Sequence, residues 1–234
     1  MRKFYILSVT LLLVLPIFNV RAQTVDILWQ GEVYTSPFYK GKSLWSSQSR
    51  ITMLAVPQGL GNPSALNYKW TKNGTVLGNI SGVGKNSLSF VDSVLSKPQL
   101  VKVDIVGSNE TILATASTNV VPIRPVLIVY ENNPLYGFMF NKSAEGTYKL
   151  KEKEVSFTAF PFFFSTSDRE NSLVSYEWRT NVGVATTKNS VTYRVPDESS
   201  GSSKVTLQVT SRNNIMQSAD KNFLIEFGST NTGI

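Results

Sequence analysis

Two pairs of carboxylates stand close together in the sequence, Asp168 with Glu170 and Asp197 with Glu198. Two carboxyl groups flanking a sugar ring can act as acid and base, or acid and nucleophile, in glycoside hydrolysis. Both pairs lie in Ser-rich stretches that read as turns, where Asp and Glu are ordinarily solvated. The commoner catalytic types are missing: the 234-residue chain has no histidine and no cysteine. A Ser-His-Asp triad, an imidazole base and a thiolate nucleophile are therefore absent. A zinc site would have to use carboxylates alone, against the metal's preference for His and Cys, and no Asp-X-Asp-X-Asp calcium ladder occurs. Asn79-Ile-Ser-Gly-Val-Gly-Lys85 holds glycine and lysine but lacks the spacing and the Ser/Thr of a phosphate-binding loop, and reads as a tight turn. These residues predict a protein that is not an enzyme and that carries no cofactor and no metal.

Aromatic residues are the better candidates for contact chemistry. Phe38 and Tyr39 follow Pro37; Tyr136, Phe138 and Phe140 follow Pro134; Phe162, Phe163 and Phe164 follow Pro161. Exposed aromatic groups are common contacts for proteins and glycans. Phe38, Tyr39, Phe162, Phe163 and Phe164 are accordingly the candidate partner-binding residues. The competing expectation is that such rings plug the ends of a sandwich or a joint between modules. The Phe162 to Phe164 run argues hardest for the surface, because consecutive strand residues alternate sides and cannot all face one core.

The elements that must position these rings are strands. Val101, Val103 and Ile105 alternate with Lys102 and Asp104, and Val205, Leu207 and Val209 alternate with Thr206 and Gln208. Val155, Phe157 and Ala159 alternate in the same way with Ser156 and Thr158. A period of two places one face inward and one outward, as in an antiparallel sheet with one wet side. No window keeps a helical period, and Gly, Asn, Ser and Pro punctuate the strands at short intervals. Lys149, Lys151 and Lys153, alternating beside Glu152 and Glu154, read as a solvated strand face.

The halves repeat one another in order. Ile51–Pro57 matches Val155–Pro161, Tyr68-Lys-Trp70 matches Tyr176-Glu-Trp178, and Asn86–Phe90 matches Asn189–Tyr193. Val101–Ile105 matches Val205–Val209, and Pro37-Phe-Tyr39 has an echo in Pro134-Leu-Tyr136. The separations fall between roughly 97 and 108 residues, a drift of the kind loop insertions produce. The order of the matches implies a duplicated module. The join falls near Pro122-Ile-Arg-Pro125, where two prolines fix φ and favour an extended, semi-stiff connector.

Tyr-X-Trp, a turn, a strand and then Val-X-Val/Leu-X-Val form a sandwich pattern in which a Trp on the third strand fills the space between two sheets. Trp70 and Trp178 take that place, with Tyr68 and Tyr176 two residues earlier on the same face. These four are expected in the core. Tyr176-Glu-Trp178 and Lys204–Asn213 resemble PKD domains, the polycystic-kidney-disease-type sandwiches of exported bacterial proteins. The PKD continuation Phe-Gly-Asp-Gly is absent: Trp70 leads into Thr-Lys-Asn-Gly74 and Trp178 into Arg-Thr-Asn-Val182. The resemblance implies an all-β chain of two tandem immunoglobulin-like (PKD-like) antiparallel β-sandwiches, serving as extracellular binding or spacer modules.

The N-terminus carries Arg2 and Lys3, an apolar run over 4–18, and Val20-Arg21-Ala22 as a small-residue cleavage pattern. That reads as a signal peptide over 1–22, with an uncleaved anchor as the alternative. Two sandwiches are then expected over 23–122 and 123–228, with a flexible tail over 229–234. The formal charge of +7 falls on removal of Arg2, Lys3 and Arg21, which leaves 20 basic against 16 acidic residues, a net of +4. The basic residues are scattered, which argues against nucleic acid. With no cysteine to staple its sheets, the chain suits a bacterial envelope. The expectation is an exported, non-catalytic module in the periplasm, at the cell surface or outside the cell. Its partners would be envelope or surface proteins, in adhesion, spacing or a pilus-like assembly. A carbohydrate-binding accessory module using loop aromatics is the alternative, and membrane contact would come only through an uncleaved leader.

Overall fold

The computed structural model describes residues 22–228, save 182, 196 and 198. The expected leader, apart from Ala22, lies outside the described residues, as do the tail 229–234 and Glu198 of the second carboxylate pair.

The first module contains β1 (Thr24–Gly31), β2 (Arg50–Gln58), β3 (Asn67–Lys72), β4 (Thr75–Val76), β5 (Gly82–Val83), β6 (Ser87–Val91), β7 (Gln99–Val106) and β8 (Ile112–Val120). One sheet has the order β1-β2-β6 and the other β4-β3-β7-β8, with β5 beside β3. In immunoglobulin lettering these are A-B-E and C′-C-F-G, a sandwich with Greek-key connections. The second module contains β9 (Val126–Asn133), β10 (Gly137–Ser143), β11 (Thr147–Lys149), β12 (Glu154–Phe162), β13 (Val174–Thr180), β14 (Gly183–Thr186), β15 (Ser190–Arg194), β16 (Gly201–Ser211) and β17 (Ser218–Phe227). Its sheets are β10-β9-β12-β15 and β11-β17-β16-β13-β14. Removing β10 and β11 leaves the same lettering. The chain is all-β, two immunoglobulin-like sandwiches in tandem.

The duplication extends to register and to single hydrogen bonds. Tyr68 faces Ile105 and Trp70 faces Val103 across β3 and β7; Tyr176 faces Val209 and Trp178 faces Leu207 across β13 and β16. Met53 opposes Leu88, and Phe157 opposes Val191. The Trp70 indole N–H donates to the Lys85 carbonyl at 2.9 Å, and that of Trp178 to the Lys188 carbonyl at 3.0 Å. The Tyr68 and Tyr176 hydroxyls reach back to the Pro63 and Arg169 carbonyls at 3.0 and 2.6 Å. All four side chains are buried. A large ring can occupy the space between sheets only if its polar atom finds a partner there, and each module solves this with a carbonyl from a turn. The glycine- and lysine-bearing turn at 79–85 thus serves to bring the Lys85 carbonyl over Trp70.

Two differences separate the modules. The first lies between strands A and B. In the second module this connection forms the hairpin strand β10 and the short β11, which runs parallel to β17. Residues 150–153 then form no strand, with a bend at 152–153, so the lysine alternation at 149–153 is not a continuous strand face, although Lys149, Lys151 and Lys153 are all exposed. In the first module the connection, residues 32–49, forms no strand. Trp45 anchors it, fully buried, edge-on to Phe90 at 6.0 Å, with its N–H donating to the Ser49 carbonyl. Gly31 admits the returning chain: a Cβ there would meet the Leu44 carbonyl oxygen at 2.5 Å.

Candidate functional site

The second difference is the outer face of the A-B-E sheet. In the second module Leu127 and Val129 of β9 and Val155, Phe157 and Ala159 of β12 point into the sandwich core. Their neighbours Ile128, Tyr130, Phe160 and Phe162 turn to the opposite face by strand alternation, where water would meet them in an isolated module. The first module covers them. Its 32–49 connector lays Val33, Tyr34 and Leu44 on this face, and Ile123 joins from the segment between modules. The backbone seals the contact: the Tyr34 N–H donates to the Phe164 carbonyl, and the Phe163 N–H to the Tyr34 carbonyl, both at 2.8 Å.

Aromatic rings run through this seam without a break. Tyr34 and Tyr39 meet Phe162 at 6.1 and 5.8 Å, and Tyr39 meets Phe163 at 5.9 Å. Phe160 meets Tyr130, Phe138 and Phe140 at 5.4, 5.2 and 5.7 Å, mostly edge to face. Phe140 meets Phe38 at 6.0 Å. The tilted and edge-on geometries place the positive ring edge against the negative face of its neighbour. The Arg169 guanidinium lies over Phe138 and Phe160 at 5.0 and 4.9 Å. Burial pushes the ionisation of the Tyr34 hydroxyl above its ordinary value, and the nearby Arg169 cation opposes that shift. Tyr130 is raised by burial and by the charge of Glu145.

A polar clasp closes the other side of the joint. Gln217 is 1% exposed. Its Nε2 donates to the Ser47 carbonyl and the Ser165 hydroxyl at 2.7 Å and lies 3.2 Å from the Ser46 hydroxyl; its Oε1 accepts from the Ser165 N–H at 2.8 Å. The Met216 N–H donates to Gln48 Oε1 at 2.8 Å. Ile123 forms a parallel bridge with Ser46. Residues from the first module, the connector and the second module are therefore held in one hydrogen-bonded joint.

The structure corrects the expectation for Phe162, Phe163 and Phe164, which are 7%, 7% and 0% exposed. Phe163 takes φ +66, in the left-handed region, and breaks the strand alternation just after β12. Phe164 then drops into the second module's core, while Phe162 and Phe163 enter the seam. The three rings do not share one core; they divide between two. Phe38 and Tyr39 remain on the surface, 76% and 36% exposed, joined by Phe140 at 41%. These three rings form the open rim of the buried seam. Leu135 and Tyr136 project from the β9–β10 turn, where Asn133 Oδ1 accepts from both of their backbone N–H groups and Gly137 at φ +71 closes the loop. Sequence reasoning singled out neither Tyr130, Phe160 and Arg169 nor the Gln217 clasp. The outward positions of β9 and β12 carried a signal, since Ile128, Tyr130, Phe160 and Phe162 are apolar where a wet face would be polar.

The described members of the two carboxylate pairs, Asp168, Glu170 and Asp197, are exposed. Asp168 Oδ1 accepts from the Glu170 N–H in a tight turn. Asp197 pairs with Lys153 at 2.8 Å. Among the described residues no group of three or more Asp and Glu could hold a metal ion, and no helix is long and apolar enough to cross a membrane.

No family model and no curated protein matches the chain. Among solved structures it is similar to the fibronectin(III)-like modules of Clostridium thermocellum CbhA, at 11% identity and TM-score 0.31, over 87% of this chain and 93% of that one. It is also similar to Sidekick-1 immunoglobulin domains 1-4, at 11% identity and TM-score 0.28, over 87% and 66%. A third likeness is to a Bacteroides vulgatus beta-glycosidase, at 12% identity and TM-score 0.27, over 88% of this chain and 25% of that one. The fold itself follows from the strand order and register described above.

Proposed function

We propose that the two modules act as one rigid, non-catalytic, exported unit that docks a protein of the bacterial envelope or surface through the rim formed by Phe38, Tyr39 and Phe140. The observation that carries this reading is the unbroken ring contact from the buried joint out to the exposed Phe38. Aromatic side chains held rigid from behind lose little entropy on binding, and they are the residue types that dominate interface energetics. The export reading draws on the leader-like pattern at 1–22 and the absence of cysteine. Adhesion, spacing and membership of a pilus-like assembly are all uses that such a unit would serve.

The test is crosslinking in native cell envelopes with the mature chain as bait and mass spectrometry as readout. A reproducible envelope partner, lost with the Phe38→Ser/Phe140→Ser variant, is the expected result. Unchanged capture by that variant would refute docking through the rim. The exposed Phe38 ring also suits stacking on a sugar, so a glycan array on the same two proteins separates the carbohydrate reading from the protein one.

A further inference from the structure

The rim has a distinct charge character. Its exposed rings come from two stretches, residues 33–50 and β10. These contain Lys40, Lys42, Arg50 and Lys142 and no acidic residue. Arg169 adds a guanidinium over Phe138 and Phe160, both of which touch Phe140 at 5.8 and 5.7 Å. Three of the nearby acids are engaged. Glu131 accepts from the Tyr148 hydroxyl, Glu32 accepts from Thr52 at 3.0 Å and lies 3.6 Å from Arg50, and Glu145 pairs with Lys221 at 2.9 Å. Among the described residues, Lys40, Lys42, Lys142 and Arg169 make no ion pair. The Lys42 and Lys142 ammonium groups instead lie over the Trp29 and Tyr148 rings at 3.3 and 4.4 Å. Asp168 and Glu170 flank Arg169 in its turn and bound the basic area on that side.

Resting on the reading of this rim as a docking surface, we propose that its occupant is an acidic protein segment. Carboxylates of the segment would face Lys40, Lys142 and Arg169, while a large apolar side chain seats against Phe38 and Phe140. Arg and aromatic groups side by side are the composition of an interface hot spot, and unpaired cations around it favour a partner of opposite sign and speed its encounter.

The probe is a fluorescein-labelled peptide in which Asp and Glu surround a central Phe-Leu, titrated with the full mature chain and read by anisotropy. Two control peptides carry Lys in place of the acids, or Ala-Ala in place of Phe-Leu. The acidic, apolar peptide is expected to bind, the controls to bind at least roughly tenfold more weakly, and added salt to weaken it further. Lys40→Glu/Lys142→Glu should weaken it by a similar factor, whereas Asp168→Asn/Glu170→Gln should tighten it. All four positions are exposed or lie in turns, and circular dichroism confirms that the variants are folded. Equal binding of the basic peptide, no effect of charge reversal, or binding to phosphatidylglycerol vesicles without binding to the peptide would each overturn the proposal. The envelope crosslinking separates the two readings. If Phe38→Ser/Phe140→Ser abolishes capture but Lys40→Glu/Lys142→Glu does not, docking stands and the acidic partner falls. If neither variant changes capture, docking itself falls.

Discussion

Replacing Gln217 by Ala should uncouple the two modules before it unfolds either one. The amide has two hydrogens and one carbonyl oxygen, so of its four contacts it can satisfy two donations and one acceptance at once. Each such bond contributes about 1 kcal/mol net, and a buried group left unpaired costs about 1–3 kcal/mol. Ser46 is fully buried and Ser47 and Ser165 are half-buried, so water can rescue only part of the loss. A total of about 3 kcal/mol follows; the Ser46 and Ser47 contacts cross the joint while the two to Ser165 lie within the second module, so the loss is divided between the coupling and the second module's own stability. Urea unfolding followed by tryptophan fluorescence and by calorimetry is the assay. The parent chain should unfold in a single transition. The Gln217→Ala chain should show two, with the midpoint of the less stable module shifted down. Small-angle scattering at zero denaturant should show a broader distribution of overall dimensions. A single transition with an unchanged midpoint would refute the argument that this clasp couples the modules.

Trp70→Phe and Trp178→Phe each lose an indole N–H bond to a turn carbonyl and leave a void between sheets, so both should destabilise their module by about 2–4 kcal/mol, with matching magnitudes read from urea midpoints. At Phe163 the backbone sits at φ +66, so Phe163→Gly should be the milder variant and Phe163→Ala the worse by about 1 kcal/mol, the reverse of what side-chain volume alone predicts. Alkali should unfold the protein. Burial pushes the Tyr193 hydroxyl from its usual 10.0 up to about 12, and burial also raises Tyr34, Tyr68, Tyr130, Tyr148 and Tyr176. Below pH 10 these groups are neutral in both states and their contribution is complete; as pH rises towards 12 the unfolded chain ionises first and stability is lost. In a Tyr39→Phe/Tyr136→Phe chain, which removes the two exposed rings, tyrosinate absorbance should therefore rise together with loss of the β-sheet signal, and a rise there that leaves the sheet intact would contradict the burial of these hydroxyls.

The modules were legible in the sequence because each is specified by short, local patterns. Tyr68-Lys-Trp70 and Tyr176-Glu-Trp178 bring both core rings within three residues, and the alternation in β2, β7, β12 and β16 marks the faces directly. The seam was less legible because its causes are not local. Gln217 and Ser46 meet across a separation of 171 residues, and no spacing rule links a glutamine in one turn to a serine in another. Phe163 adopts a left-handed backbone without a glycine to announce it, so strand alternation carried past Phe162 put the run in the wrong place. β10 was hidden for a similar reason. Its register against β9 jumps between Phe138 and Ser143, and an irregular edge strand shows no period of two. The fold gathers Phe38, Tyr39, Phe138, Phe140, Phe162 and Phe163 with Phe160 into one contiguous group.

The connector over 32–49 has a bearing on the order in which the protein can be made. A ribosome completes the first module while the strand that shelters its connector, β12, has yet to be synthesised. Amino-terminal domains generally fold first, so for that interval Val33, Tyr34, Phe38, Tyr39 and Leu44 stand on a finished sandwich with nothing over them. The nascent chain is at its most adhesive when half made. The second module should shelter these side chains once β12 is made, and a chain truncated after Val120 should be well folded and poorly soluble.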